Sequence, residues 1–271
     1  MNIINLDSFE REEIQGHTSK GDQPKWQVGG IWYKADHMGY EAMAEVVVSQ
    51  LLKKSNVNDF VEYEPALIEY QGRKLPGCTS RNFRQKDELL VPFERLHRAY
   101  MGQGLASVLG KMGEAQERIR YTVDFVERTT GLTDAGKYLT LMLEVDGFFL
   151  NEDRHTNNLA LIRNEKTMEF RLCPIFDNGL SLLSDLNDYP LDKDMYDCIC
   201  RVRAKPFDMD FDVQVEAAEA LYGTQLRFSF TRYDIPTVLD LVRELYPDAD
   251  VVARVEKVLY EQMRKYPVYF V

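Results

Sequence analysis

The densest run of chemically capable side chains in this sequence is Asn151-Glu152-Asp153-Arg154-His155-Thr156-Asn157-Asn158. It falls between a long apolar segment and a short β-favouring one, and polar residues packed this closely between apolar elements need a chemical reason. Moving phosphate from a nucleotide is one reaction that uses such a set. A carboxylate orients the attacking hydroxyl and accepts its proton, while oxygen ligands hold Mg²⁺. Asp153 and Asn158 would supply both functions from one loop. A second carboxylate, Asp177, sits in Phe176-Asp177-Asn178-Gly179, where Gly179 would permit a sharp turn. The strand-turn-strand pattern between the two motifs brings the chain back toward its start, so a metal site shared by Asn158 and Asp177 is feasible. An Asx turn before Gly179 is the plainer reading of Asp177.

These motifs need elements to hold them. Residues 134–150 carry Tyr138, Leu141, Met142, Val145 and Phe148 at helical spacing, which predicts a helix facing a core just before the polar run. Residues 159–162 and 170–175 read as short strands joined by a turn at 164–166. Near the N-terminus, Gly29-Gly30 leads into Ile31-Trp32-Tyr33, a strand ending at Lys34. Residues 41–54 follow as an amphipathic helix with Ala44, Val47, Val48, Leu51 and Leu52 in one core-facing stripe. Residues 60–70 and the stretch reaching Cys78 predict a hairpin through Gln71-Gly72-Arg73. Helices are expected at 114–128, 211–222, 235–246 and 249–265. The fold class is therefore α+β, with a strand-rich first third, a helix-rich remainder and a boundary near 96–104.

The chain's 271 residues suffice for one large domain or two intimate lobes. A formal charge of −11 and a pI near 5.0 argue against direct nucleic-acid binding, which rests on clustered Lys and Arg. Arg201, Arg203 and Lys205 are the nearest approach to a basic patch and read as a solvated face. The four cysteines are too few and too irregular for a disulfide framework or a four-ligand zinc site, which suits a reducing cytoplasm. Cys198 and Cys200 would share one face of a strand and read as buried small hydrophobes. His17, His37 and His97 have no zinc spacing. The N-terminal residues lack a signal-peptide pattern, and no apolar run is long enough for a membrane span. Nucleophile elbows, Walker loops and dinucleotide fingerprints do not occur.

Asp153-Arg154-His155 followed by Asn158, and then Asp177 after the next hairpin, resembles the catalytic and metal-binding loops of the HipA-like serine/threonine kinases. A similar Asp-Arg-His-x-x-Asn run occurs in the phosphoinositide lipid kinases. The resemblance implies that Asp153 is the catalytic base, that Asn158 and Asp177 hold Mg²⁺, and that His155 is a structural member of the nucleotide-binding loop. Ser19-Lys20-Gly21-Asp22-Gln23-Pro24-Lys25 is similar to the phosphate-covering loop of HipA, which puts Ser19, Gly21, Gln23 and Lys25 at the nucleotide. Lys34 matches the strand lysine that grips nucleotide phosphates. Its ion-pair partner would be Glu45, well inside the helix, or else Glu41. Residues 78–83 lie where such a fold passes between lobes and would contact adenine through backbone groups. Ala204-Lys205-Pro206-Phe207 resembles a segment of compact HipA-like proteins and has no assigned role.

The implied fold is two-lobed and protein-kinase-like, with a small β-rich N-lobe carrying one long helix over 1–100 and a larger, mostly helical C-lobe over 101–271. The implied activity is transfer of phosphate from ATP, with Mg²⁺ as cofactor, to Ser or Thr of a protein partner, including the chain's own Thr18 or Ser19. The sequence lacks the separate N-terminal subdomain of full-length HipA, which leaves an antitoxin-like, DNA-binding partner without support. A lipid or small-molecule kinase is the alternative within the same chemistry. An inactive pseudokinase that serves as a binding module is the alternative outside it, and the joint presence of Lys34, Asp153, Asn158 and Asp177 argues against that reading.

Overall fold

Local sequence sets most of the element boundaries in the computed structural model, which describes residues 3–11 and 23–270. In chain order the elements are β1 Ile3–Asn5, β2 Lys25–Val28, β3 Ile31–Ala35, α1 Glu41–Leu52, β4 Glu64–Tyr70, β5 Arg73–Arg81, β6 Glu88–Pro92, α2 Phe93–Met101, α3 Leu105–Leu109, α4 Ala115–Thr130, α5 Ala135–Phe149, β7 Ala160–Asn164, β8 Phe170–Leu172, α6 Met195–Arg201, α7 Phe211–Tyr222, α8 Asp234–Asp240 and α9 Ala249–Lys265. Helices α2 and α4 end on glycines in the left-handed region, Gly102 at φ 74° and Gly131 at φ 77°. The starts of α7 and α9 are capped by the carboxylates of Asp210 and Asp248.

The Cα packing divides the chain into two units. The first comprises Met1–Asn82, Phe176–Arg201 and Phe228–Val271, and the second Phe83–Ile175 and Val202–Arg227. The first unit holds a five-stranded sheet in the order β1-β4-β5-β3-β2, antiparallel except where β1 runs parallel to β4. One face buries Trp26, Ala35, Ala66 and Ile68 with Leu6. Helix α1 packs against β3, β4 and β5 and also against α8. For that reason it is buried at every position but Gln50, and the single core-facing stripe expected for it is too narrow.

The second unit is built on the antiparallel sheet β6-β7-β8 and on α5, which lies against α4 and α7. Phe93, Leu105, Ile119, Val126, Leu139, Met142, Leu161 and Phe207 are among the side chains that fill its core. Gly136 of α5 permits this packing, since a Cβ there would stand 2.5 Å from the Tyr222 ring on α7.

Several expectations are corrected. Cys198 and Cys200 lie on helix α6 rather than on a strand, so they point to different faces, and Cys200 is exposed. The strand expected at 170–175 stops at Leu172. The helix expected at 235–246 ends at Asp240 and continues as turns in which Leu241, Val242 and Leu245 donate to carbonyls three residues back. Residues 83–104, for which no element is expected above, contain a strand and a helix, β6 and α2, and Phe93, Leu96 and His97 recur at helical spacing on the buried side of α2.

Buried within α5, Glu144 accepts the backbone N–H of Gln225 at 2.9 Å and that of Leu226 at 2.7 Å. Burial pushes its carboxyl from the ordinary 4.5 up to about 8, with the neighbouring Glu219 adding to the rise. The folded chain thus holds a proton there that the unfolded chain releases, so this stabilisation is complete below the ordinary carboxylate range and is lost as pH rises through about 8. Urea denaturation between pH 5 and pH 9 should show wild type losing stability relative to Glu144→Gln, which keeps a carbonyl acceptor but does not titrate. Parallel pH profiles for the two proteins would refute the assignment.

Candidate active site

The centre of the first unit is an ammonium group with two carboxylates on it. On β3 the side chains alternate, so Tyr33 and Ala35 enter the apolar face while Lys34 points to the α1 side. Lys34 Nζ lies 2.5 Å from Glu45 Oε1 and 2.7 Å from Asp177 Oδ1, and 5.3 Å from the centre of the Tyr63 ring. Glu45 is 0% exposed, and its other oxygen accepts the backbone N–H of Asn178 at 2.8 Å. Glu41 is engaged elsewhere and accepts backbone N–H groups from Met38 at 2.7 Å and Gly39 at 2.9 Å, so Glu45 is the partner of Lys34. Burial by itself would lower the Lys34 pKa, but the charges of Asp177 and Glu45 outweigh it and hold the ammonium well above its ordinary range. Burial raises the Glu45 carboxyl, and Lys34 draws it back.

Backbone geometry supports this placement. Gly77 on β5 lets the neighbouring strands close up, because a Cβ there would stand 2.6 Å from the Lys34 carbonyl. Lys25 on β2 is directly opposite Lys34 in the antiparallel register, which puts both side chains on one face of the sheet. The turn after β8 is made differently from expectation. Asp177 itself takes the left-handed conformation at φ 61°, whereas Gly179 has ordinary φ and a Cβ there would only touch Glu41 and Glu45 side chains at 3.5–3.7 Å. Asp tolerates this region because its short polar side chain relieves the usual clash.

In the second unit the loop at 151–158 is pinned from two sides. Helix α5 ends on Leu150 in the left-handed region at φ 57°, a buried residue whose side chain keeps the site from being a glycine. One turn earlier, buried Asp146 receives Arg154 Nε at 2.8 Å, Arg154 Nη2 at 3.0 Å and Asn151 Nδ2 at 2.8 Å. Arg154 is 0% exposed. On the other side Glu94, in the first turn of α2, accepts the Thr156 hydroxyl at 2.9 Å and donates its backbone N–H to the Thr156 carbonyl at 3.2 Å. Asp153 is held in this frame with Asn158 Nδ2 donating to its carbonyl at 2.8 Å, His155 Nε2 at 3.8 Å from Oδ2 and Lys205 Nζ at 3.3 Å from Oδ1.

Of the residues expected at the nucleotide, Lys34, Glu45 and Asp177 meet in the first unit, while Asp153, His155 and Asn158 meet in the second. Ser19 and Gly21 lie outside the described residues, as does Thr18. Gln23 has its amide nitrogen buried with no hydrogen-bond partner among the described residues. Sequence reasoning missed Asp146, Glu94, Tyr63 and Lys205. A lone Asp in an apolar helix eight positions before Arg154 was the available signal for Asp146. Lys205, read as part of a solvated face, is instead drawn to Asp153.

No family model matches the chain, and no curated protein matches it. Among solved structures, the crystal structure of a Helicobacter pylori proinflammatory kinase, CtkA, superposes with a TM-score of 0.63 over 97% of this chain and 95% of that one, at 15% identity. The chain has a two-lobed, protein-kinase-like fold. The two residues expected at a metal each carry an oxygen donor in their own unit. Asn158 donates its amide nitrogen to the Asp153 carbonyl, which leaves its Oδ1 as the acceptor, and Asp177 is a carboxylate with 38% of its side chain exposed. Both are the oxygen ligands that Mg²⁺ takes.

The Asp146–Arg154 pair generates a test within the second unit. Replacing Arg154 by Met leaves a carboxylate buried without its main partner, so stability should fall by about 3–5 kcal/mol in urea denaturation. A loss near zero would mean that the loop at 151–158 does not depend on this pair.

Proposed function

We propose that this chain is an ATP- and Mg²⁺-dependent phosphotransferase of the HipA-like type, acting on a Ser or Thr hydroxyl of a protein. The observation that carries the reading is Lys34, fixed between Glu45 and Asp177 in a chain with a kinase-like fold. Burying an ammonium against a fully buried carboxylate is a poor way to gain stability, since apolar residues of similar volume serve as well. One cation between two anions also leaves a net negative charge that a divalent ion compensates. Lys25 lies opposite Lys34 on the same face of the sheet and places a second ammonium on that side.

In this reading Lys34 and Lys25 bind nucleotide phosphates from residues 1–100, with Ser19, Gly21 and Gln23 in the covering loop. Residues 101–271 bring the loop that performs transfer. Asn158 and Asp177 would each offer Mg²⁺ an oxygen, and the bound ion would supply positive charge against the nucleotide phosphates. Asp153 orients the acceptor hydroxyl and takes its proton. His155 stays a structural member of the loop, its Nδ1 accepting the backbone N–H of Asn157 at 3.2 Å. The chain's own Thr18 or Ser19 is a second acceptor.

Incubation with γ-labelled ATP, Mg²⁺ and protein, inositide or aminoglycoside acceptors tests the reading, alongside thermal melting with and without Mg-ATP. Ligand at a hundred times its dissociation constant stabilises the folded state by roughly 2.7 kcal/mol, so a rise in melting temperature is expected. Asp153→Ala should keep that rise yet lower transfer by about 10²–10⁴-fold. Asp177→Ala should lose the Mg²⁺-dependent part of the rise. Absence of both a melting shift and transfer in wild type, or equal transfer by Asp153→Ala, would sink the reading. Label in the peptide spanning residues 17–25 is the expected mark of self-modification.

A further inference from the structure

Lys205 lies in the 204–207 segment, to which no role is assigned above, yet its position is set with unusual care for a surface cation. The segment around it is fastened to the second unit by burial of Val202, Ala204 and Phe207. Phe207 belongs to that unit's core, and its carbonyl accepts Arg118 Nη1 at 2.7 Å. The Ala204 N–H closes the loop on the Met209 carbonyl at 2.9 Å. Between these anchors Lys205 keeps 33% of its side chain exposed and places Nζ 3.3 Å from Asp153 Oδ1. A lysine held only for solubility needs no such frame. One held only for stability at this exposure would contribute little, since partly solvated ion pairs are typically worth no more than about 1 kcal/mol.

We propose that Lys205 is a catalytic residue of the phosphoryl transfer assigned above, and that its ammonium contacts the transferring phosphoryl group from the acceptor side. This rests on Asp153 being the base. The acceptor hydroxyl gives its proton to an Asp153 carboxylate oxygen, the acceptor oxygen bonds to the γ-phosphorus, and the bond from that phosphorus to the β–γ bridging oxygen breaks, so that ADP departs. Charge spreads over the three equatorial oxygens during this exchange. The attacking oxygen must lie within about 3 Å of Asp153 and approach phosphorus in line. A cation on the same carboxylate is therefore within reach of those equatorial oxygens. It also holds Oδ1, which fixes the rotation of the carboxyl group and leaves Oδ2 toward the donors of His155 and Asn158, at 3.8 Å and 3.5 Å. No other Lys or Arg is paired with Asp153 among the described residues.

The cation would act where charge develops, so its loss should weaken the transition state more than the ground state. Lys205→Met should lower kcat by about 10²-fold with the KM for ATP changed less than about twofold, the size seen when one preorganised donor is removed. A readout independent of turnover is binding of the Mg-ADP–aluminium fluoride mimic of the transferring group. Lys205→Met should weaken it by about 10²-fold while binding Mg-ADP as wild type does, and Lys205→Arg should recover most of both losses. Lys205→Gln, uncharged but polar, makes the same test should the Met protein not fold. Wild-type kcat in the Met and Gln variants, or equal weakening of Mg-ADP and of the mimic, would overturn the role of Lys205 while leaving the phosphotransferase reading intact. A wild-type chain that neither transfers phosphate nor binds the mimic would remove both.

Discussion

The buried carboxylate of Glu45 is the constraint from which the first unit's chemistry follows. One oxygen takes the Lys34 ammonium and the other takes the Asn178 N–H, so a single side chain of α1 fixes a strand residue and the turn that carries Asp177. A fully buried carboxylate tolerates no vacant lone pair cheaply, so both contacts must form together. This explains why α1 is enclosed on nearly all sides. A helix with a wetter face would let water compete for Glu45, and the ion pair would lose the low-dielectric setting in which its charges interact most strongly.

The second unit solves an equivalent problem with different residues. Asp146 on α5 and Glu94 on α2 approach the loop at 151–158 from two helices, and each satisfies several donors. Glu94 also accepts the Ala106 N–H at 2.9 Å, so the start of α3 is tied to the same carboxylate. Neither residue needs to touch a substrate. Their effect is to convert a polar octapeptide with many accessible conformations into one that presents Asp153 and the Asn158 oxygen in fixed directions.

How far the sequence discloses this depends on whether a feature is local. The β3 strand ending near Lys34, the hairpin at Gln71-Gly72, the helices α1, α4, α5, α7 and α9, and the polar loop itself are all legible, because periodicity and turn chemistry act over a few residues. What the patterns hide depends on partners far along the chain. Strand β1 is only three residues long and exists because β4 offers it a parallel edge. Leu150, rather than a glycine, ends α5 since burial of its side chain offsets the strain of a positive φ. Lys205 reads as a solvated cation until the core position of Phe207 is known, and α1 reads as amphipathic until α8 is seen on its other side.

Strain is gathered in the segment that follows Asp177. Asp177, Leu182 and Leu183 have φ of 61°, 57° and 62°, and left-handed geometry costs roughly 1–2 kcal/mol for each residue that is not glycine. The first unit offsets this with specific contacts. The Tyr40 hydroxyl donates to the Leu182 carbonyl at 2.9 Å, the Ser184 hydroxyl donates to the Gly179 carbonyl at 2.6 Å, and both leucines are buried. Gly39 lets the Ser184 carbonyl come so near that a Cβ would stand 2.1 Å from it. A chain that only needed to connect β8 to α6 would not adopt three unfavourable residues within seven positions. The turn at Asp177 sets its carboxylate on Lys34 and the Asn178 N–H on Glu45, while the contacts of Tyr40 and Ser184 hold the segment that follows.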